Sequence, residues 1–128
     1  MRYLLDTHAL LWFLEGSPRL PDPVAEIIES ADTQKAVSVA SLWEATIKIS
    51  LGKLQVEGGI EDLWEAVVAN GFTILPIQEP YLARLAQLPF IHRDPFDRLL
   101  IATALAEGLT LITSDQDIHK YDMQWAWG

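Results

Sequence analysis

The chain has 128 residues, 50% of them apolar, and its nine Lys and Arg against eighteen Asp and Glu give a net charge of −9. The apolar content argues against disorder, and the absence of cysteine excludes disulfides, thiolate metal sites and a cysteine nucleophile. The excess of acidic residues argues against non-specific binding to duplex nucleic acid, because such binding depends on Lys and Arg that neutralise phosphates. It does not exclude a nuclease, because bound cations reverse the sign of an acidic patch.

The N-terminal apolar stretch is interrupted by Asp6 and His8, and the longest unbroken apolar run, Ala9 to Leu14, has six residues. These features argue against a signal peptide and against a membrane span. We therefore expect a soluble, cytoplasmic protein of one domain, residues 1–128, that does not bind membranes.

Strand and helix patterns alternate along the chain, with Gly and Pro marking the boundaries. The alternation predicts an α/β fold: a three-layer α/β/α domain whose central, mainly parallel sheet has four to five strands covered on both faces. The predicted strands are 2–5, 35–39, 72–75, 109–112 and, if the sheet has five strands, 123–127. The predicted helices are 7–15, about ten residues from 22, 41–51, 60–69, 80–88 and 95–107.

Acidic side chains stand near the predicted N-termini of four helices. Because helix N-termini and strand C-termini share an edge in a parallel α/β sheet, ligands bind at that edge. Asp6, Glu44 and Asp115 each follow a predicted strand by one to five residues, which predicts that they share the edge. Alternation does not fix the position of Asp97, because two helices precede the fourth strand.

If these acids share one cleft, they repel one another unless cations are present. An oxygen-rich site without cysteine or several histidines suits Mg²⁺ or Mn²⁺. Such ions activate water and stabilise the charge of a phosphoryl displacement. The pattern therefore points to metal-dependent phosphoryl chemistry.

Helix capping is the alternative explanation for the same acids. Ser41 and Glu44 have the spacing of a capping box, and Asp94 before Pro95 is typical of an N-cap. Acids in first turns are favoured by the helix dipole by roughly 0.3–1 kcal/mol each. The case for capping is weakest for Asp6.

Four segments resemble the successive motifs of PIN domains, most closely the VapC-type toxin ribonucleases of toxin–antitoxin pairs. The resemblance implies a PIN-like domain, Mg²⁺- or Mn²⁺-dependent cleavage of RNA phosphodiesters, and a cognate antitoxin as partner. The segments are Leu4-Leu5-Asp6-Thr7-His8-Ala9-Leu10-Leu11-Trp12, Ser38-Val39-Ala40-Ser41-Leu42-Trp43-Glu44, His92-Arg93-Asp94-Pro95-Phe96-Asp97-Arg98-Leu99-Leu100-Ile101-Ala102 and Leu111-Ile112-Thr113-Ser114-Asp115.

By position, Asp6, Glu44, Asp97 and Asp115 match the family's acids. The resemblance implies that Asp6 and Asp97 hold a first ion, that Glu44 completes its shell or orients water, and that Asp115 helps to hold a second ion. Asp94 is assigned to capping. Whether Asp115 or Asp117 is the fourth acid stays open.

Neighbouring residues are assigned supporting roles around the acids. The expected outer-shell groups are Thr7, Thr113, Ser114 and Asp117, and caps are the alternative for the hydroxyls. Lys48, Arg93 and Arg98 are candidates for contacting RNA phosphates, with salt pairing to the acids as the alternative. His8 is interpreted as a packing group, and His92 and His119 as loop surface.

The tryptophans are interpreted mainly as packing residues. Trp12, Trp43 and Trp64 lie in apolar helices and are assigned to the core. Trp125 and Trp127 alternate as in a terminal strand and are candidates for a subunit interface, so a homodimer is expected.

Three other functions remain open. A PIN nuclease of RNA processing differs from a toxin only in lacking an antitoxin. A phosphohydrolase of the haloacid-dehalogenase type would use Asp6 as nucleophile, although its second Asp is replaced by His8. A non-catalytic binding module would keep the acids as caps.

Overall fold

One five-stranded sheet forms the centre of the protein, whose computed structural model describes residues 2–128. The strand order is β3-β2-β1-β4-β5, and every neighbouring pair is parallel. The predicted fold class is therefore confirmed. The strands are β1 Arg2–Leu5, β2 Gln34–Ser38, β3 Thr73–Leu75, β4 Thr110–Ile112 and β5 Trp125–Ala126.

Within residues 2–128, six helices pack around the sheet. The helices α1, α2 and α4 pack on one face and α5 and α6 on the other. Gly16 ends α1 with φ 65°, a left-handed conformation that favours glycine. The helices are α1 Thr7–Glu15, α2 Asp22–Glu29, α3 Val39–Ser50, α4 Gly59–Ala69, α5 Glu79–Gln87 and α6 Pro95–Glu107, and a short 3-10 turn covers Ile118–Lys120.

The central strand β1 supplies core residues to both faces. Successive side chains of a strand point to opposite faces. Leu5 accordingly belongs to the cluster under α1 and α2, whereas Leu4 belongs to the cluster under α6. Both leucines are fully buried. This packing fixes the position of the residue that follows β1, which is Asp6.

The junction of β2 and α3 differs from the sequence prediction. Val39 was predicted to end the strand and Ser41 to begin the helix, but α3 begins at Val39. Ser38 is the N-cap, and its hydroxyl accepts a hydrogen bond of 3.0 Å from the Ala40 amide. The predicted capping box is therefore wrong. Ser41 lies inside the helix, where its buried Oγ has no hydrogen-bond partner among residues 2–128.

Other differences are small and lie at element ends. The strands β3 and β4 each begin one residue later than predicted, and β5 comprises only two residues. No helix within residues 2–128 combines the length and the apolar character needed to cross a membrane.

Candidate active site

The carboxyl ends of the three central strands meet at one edge of the sheet. Leu5 of β1 pairs with Val37 of β2 on one side and with Ile112 of β4 on the other. The chain leaves β1 at Asp6, whose amide donates a 3.1 Å hydrogen bond to the Ile112 carbonyl. Residues that follow these strands are consequently brought to a common edge.

Asp6 is both a helix cap and a buried acid at this edge. Its Oδ1 accepts a 2.8 Å hydrogen bond from the Ala9 amide, so it is the N-cap of α1. The expectation that capping was weakest for Asp6 is therefore wrong. Burial raises the pKa of the carboxyl above its ordinary value, and hydrogen bonds from Thr113 and Ala9 offset only part of that rise. Since a carboxylate has two oxygens, one can cap while the other binds a cation.

Glu44 is held between two neighbours. The Thr7 hydroxyl donates a 2.7 Å hydrogen bond to its Oε1, which links the start of α1 to α3. The ammonium of Lys48 lies 3.3 Å from Oε2 as an i,i+4 pair, which confirms the salt pairing expected from the sequence. Both contacts restrict the Glu44 side chain to one direction.

Two aspartates at the N-terminus of α6, Asp94 and Asp97, differ in their hydrogen bonds. Asp94 caps the helix, with its Oδ1 accepting hydrogen bonds of 2.8 Å from the Phe96 amide and 3.4 Å from the Asp97 amide. Burial raises the pKa of Asp97 to about 7, and the charges of Asp94, Asp6 and Glu44 contribute to the increase. Asp97 Oδ2 lies 3.2 Å from His92 Nε2, which also contacts Asp115, so Asp97 reaches the same edge as the segment that follows β4.

Asp115 is fixed by one histidine and by the backbone after β4. Its Oδ1 accepts hydrogen bonds of 2.8 Å from the Asp117 amide and 3.2 Å from the Ile118 amide. Burial would raise its pKa, but the hydrogen bond from His92 and those two amides outweigh the effect, so the pKa is lowered. Asp115 therefore remains ionised through the neutral pH range.

His92 is the residue at this edge that sequence reasoning missed. Its side chain is only 11% exposed, so the loop-surface interpretation is wrong. Nε2 lies 2.8 Å from Asp115 Oδ2 and 3.2 Å from Asp97 Oδ2. The Asp94 amide donates a 3.0 Å hydrogen bond to Nδ1, so the neutral imidazole carries its hydrogen on Nε2 and presents it to the two carboxylates. The sequence did contain one signal for this residue: His92 lies within five residues of both Asp94 and Asp97.

Burial alone would lower the pKa of His92, but the carboxylates of Asp115, Asp97 and Asp94 outweigh it and raise that pKa above its ordinary value. The ring therefore interacts with three acids at once. It joins the loop before α6 to the segment after β4.

The tightest set of ligand atoms in the described chain differs from the four matched acids. Within residues 2–128, one group of three ligand-type side chains has its ligand atoms within 4.8 Å of one another: His92, Asp115 and Asp117. The exposed Asp117 carboxylate also pairs with Lys120 at 3.0 Å. Asp6, Glu44 and Asp97 thus share the edge but form a wider arrangement.

The segment after β4 contains three more residues that the sequence singled out, and they differ in their hydrogen bonds and exposure. The Thr113 hydroxyl accepts a 3.1 Å hydrogen bond from the Asp115 amide, whereas the Ser114 side chain is exposed. His119 Nε2 lies 2.8 Å from the Thr113 carbonyl, and its ring stacks on Trp125 with 3.5 Å between centroids. His119 is therefore a packing group rather than loop surface.

Two predictions about basic and aromatic side chains need correction. Arg98, a candidate for contacting RNA, is 6% exposed, and its guanidinium donates to the Leu88 and Pro89 carbonyls, so it is not available to a phosphate. Trp43 and Trp64, assigned to the core, are 57% and 43% exposed. Arg93 is exposed, as a contact residue requires.

Comparison with known proteins identifies the family of this chain. Residues 3–123 match the family model of the PIN domain. The chain belongs to the PIN domain family. A curated relative, ribonuclease VapC22 of Mycobacterium tuberculosis, is 29% identical over 119 residues, which cover 92% of this chain and 90% of the relative. The resemblance seen in the sequence motifs is therefore confirmed for the family.

Solved structures share the fold of this PIN domain at low sequence identity. VapBC2 from Rickettsia felis, bound to a DNA fragment from its promoter, has a TM-score of 0.77 and 17% identity and covers 100% of both chains. A toxin–antitoxin complex from Klebsiella pneumoniae has a TM-score of 0.66 and 20% identity and covers 97% of this chain and 95% of that chain.

Proposed function

We propose that this PIN domain is a metal-dependent endoribonuclease that cleaves RNA phosphodiester bonds and is the toxin of a toxin–antitoxin pair. The observation that carries the proposal is the meeting of four acids at the carboxyl edge of the sheet. Asp6 directly follows β1, Glu44 accepts a hydrogen bond from the neighbouring Thr7, and Asp97 and Asp115 both contact His92. The ribonuclease activity named for the relative from Mycobacterium tuberculosis supports the substrate class.

The residues at this edge fit a divalent cation. Burial and neighbouring charges raise the pKa values of Asp6 and Asp97, which is the electrostatic imbalance that a bound cation relieves. The donors are mainly carboxylate oxygens, which suit Mg²⁺ or Mn²⁺. Asp6 and Asp97 would hold one ion, Glu44 would complete its shell, and Asp115 would help to hold a second. When bound, such ions activate water and neutralise charge developing on the phosphate.

The protein's own contribution is to hold the carboxylates in place. Thr7 restrains Glu44, the Ala9 amide restrains Asp6, and Asp94 fixes the turn that carries Asp97. Partners that orient metal ligands in this way are worth about 10- to 100-fold in metal affinity or activity. In our proposal, His92 does the same for Asp115 and Asp97.

The role of His92 can be tested by two substitutions of different hydrogen-bonding ability. A glutamine amide can donate from near the Nε2 position, whereas phenylalanine fills the space without donating. We expect His92→Phe to weaken Mn²⁺ binding by about 10- to 100-fold and His92→Gln to retain most of it. Calorimetric titration with Mn²⁺ measures both. Wild-type affinity in His92→Phe would contradict the assignment.

An antitoxin, a second subunit and a cytoplasmic setting complete the proposal. The structural neighbour from Klebsiella pneumoniae is a toxin–antitoxin complex, which supports an antitoxin as partner. The exposed Trp125 at the edge strand β5 supports a homodimer. An open reading frame for a short antitoxin next to the gene would distinguish a toxin from a PIN nuclease of RNA processing.

Cleavage of RNA by the purified protein tests the central claim. We expect cleavage in Mn²⁺ or Mg²⁺, none in EDTA, and at least about 100-fold less in Asp6→Asn and Glu44→Gln, because each loses a carboxylate proposed to serve the metal site. Asp32→Asn is the matched control, since Asp32 is exposed in the loop before β2, away from the carboxyl edge. Full activity in Asp6→Asn would refute the proposal.

A further inference from the structure

A groove of about 460 Å³ borders the acidic edge between α3 and the start of α6. Glu44 lines it, so the groove is continuous with the candidate active site. Its walls combine apolar surface, including Leu51 and Phe96, with the basic side chains Lys48, Lys53 and Arg93. The RNA-contact candidates Lys48 and Arg93 thus lie in one groove, and Lys53 joins them.

The groove has more basic than acidic side chains, unlike the protein as a whole: the acids that line it are Glu44 and Asp94. Three of the nine Lys and Arg line it, in a chain with a net charge of −9. Lys48 pairs with Glu44, whereas neither Lys53 nor Arg93 forms an ion pair with any other residue of the described segment 2–128. Two cations without an ion-pair partner favour an anionic ligand, such as a chain of phosphates.

An exposed aromatic ring stands beside the groove. Trp43 is 57% exposed, and its ring forms a T-shaped contact with Phe96, a residue of the groove, with 5.0 Å between centroids and 74° between planes. This contact limits the motion of the indole. Aromatic rings next to a basic groove are how proteins bind single-stranded nucleic acid, because every base offers a face for stacking.

We infer that the groove binds a single-stranded RNA segment, with a base stacked on Trp43 and phosphates contacting Lys53 and Arg93. The inference rests on the proposed function, since the groove opens at Glu44. A single strand is favoured over a duplex because bases inside an A-form helix are already stacked and cannot reach a protein ring. Because the rest of the protein surface is acidic and repels RNA, this groove is the place where RNA is attracted.

Binding measured without metal tests the inference separately from catalysis. The probe is a short fluorescein-labelled single-stranded oligoribonucleotide in EDTA, followed by anisotropy. We expect Trp43→Ala to bind roughly 5- to 100-fold more weakly and Trp43→Phe to retain most of the affinity. Trp64→Ala is the matched control, because Trp64 is exposed on α4 and, unlike Trp43, does not pack against the groove residue Phe96.

The basic residues are tested by the salt dependence of the same binding. Lys53→Gln and Arg93→Gln should each lower the slope of log K against log salt by about one, because each loses one phosphate contact. Arg84→Gln, on exposed α5 surface, should leave the slope unchanged.

Failure of the inference and failure of the proposed function give different results. Wild-type RNA affinity in Trp43→Ala would overturn the inference whether or not the protein cleaves RNA. The inference would also be overturned if Trp43→Ala converted a dimer to a monomer in analytical ultracentrifugation, because this face would then bind a second copy of the chain. RNA binding that depends on Trp43 without cleavage in Mn²⁺ would support the groove and refute the nuclease.

Discussion

Asp97→Asn should abolish RNA cleavage and at the same time make the metal-free protein more stable at neutral and alkaline pH. Asp97 is a proposed metal ligand, so its loss should lower activity by at least about 100-fold. Its carboxyl has a pKa of about 7 because it is buried and lies near other acids, so its ionised form is unfavourable in the fold. Asparagine has the same shape without the charge.

The sign of the pH effect follows from the raised pKa. In the unfolded chain Asp97 titrates near 3.8, and in the folded protein near 7. The stability contributed by its protonation is complete below the unfolded pKa and is lost as the pH rises through the folded pKa. We therefore expect Asp97→Asn to be more stable than wild type at about pH 8 and to lose that advantage near pH 4.

Urea denaturation in EDTA at several pH values measures this difference. Comparing the variant with wild type at each pH removes the common contributions of Asp6 and Asp115, which also have shifted pKa values. Asp32→Asn provides the control, because its side chain is exposed and its curve should follow wild type. If Asp97→Asn were less stable than wild type at about pH 8, the proposed repulsion would be refuted. Added Mn²⁺ should stabilise wild type and not the variant.

The order of the elements could be predicted because local signals mark them. Gly16 and Gly108 end helices, Pro95 begins one, and short apolar runs lie between the helices. Chain alternation also placed Asp6, Glu44 and Asp115 at one edge. Alternation could not place Asp97, because α5 and α6 both precede β4 without a strand between them. Only tertiary packing determines at which end of the sheet α6 begins.

The remaining errors come from contacts between distant parts of the chain. His92 and Asp115 are 23 residues apart, so no local pattern reports their hydrogen bond. Trp43 lies in a helix that is apolar on several sides, so helical periodicity did not distinguish its exposed side from its buried one. The β2–α3 boundary depended on whether Ser38 or Ser41 served as the cap, and both residues are suitable caps.

Arg98→Met should destabilise the protein by about 3 kcal/mol, a larger effect than any surface substitution. The guanidinium is buried and donates to the Pro89 carbonyl at 2.9 Å and to the Leu88 carbonyl at 3.2 Å. It also lies 3.9 Å from the centroid of the Phe90 ring. Methionine would remove the donor to the carbonyl of the buried Leu88, whereas the Pro89 carbonyl would keep the Tyr121 hydroxyl. Lysine could not reproduce the forked geometry.

The loop that Arg98 holds is the one that positions His92. Tyr121 Oη donates to the Pro89 carbonyl at 2.7 Å and accepts a 2.9 Å hydrogen bond from the His92 amide, so arginine and tyrosine fix the same turn. We therefore expect Arg98→Met to weaken Mn²⁺ binding as well, although Arg98 is not itself a proposed ligand.

Thermal and urea denaturation, with Mn²⁺ calorimetry on the folded variant, measure both effects. The matched control is Arg93→Met, which removes an exposed arginine from the same loop and should change stability by no more than about 0.5 kcal/mol. Equal stability of the two variants would show that the buried hydrogen bonds of Arg98 contribute little. A stable Arg98→Met protein with weakened RNA binding would return Arg98 to the RNA-contacting residues. Loss of stability together with Mn²⁺ affinity would instead show that a buried arginine supports the metal site through the backbone of a loop.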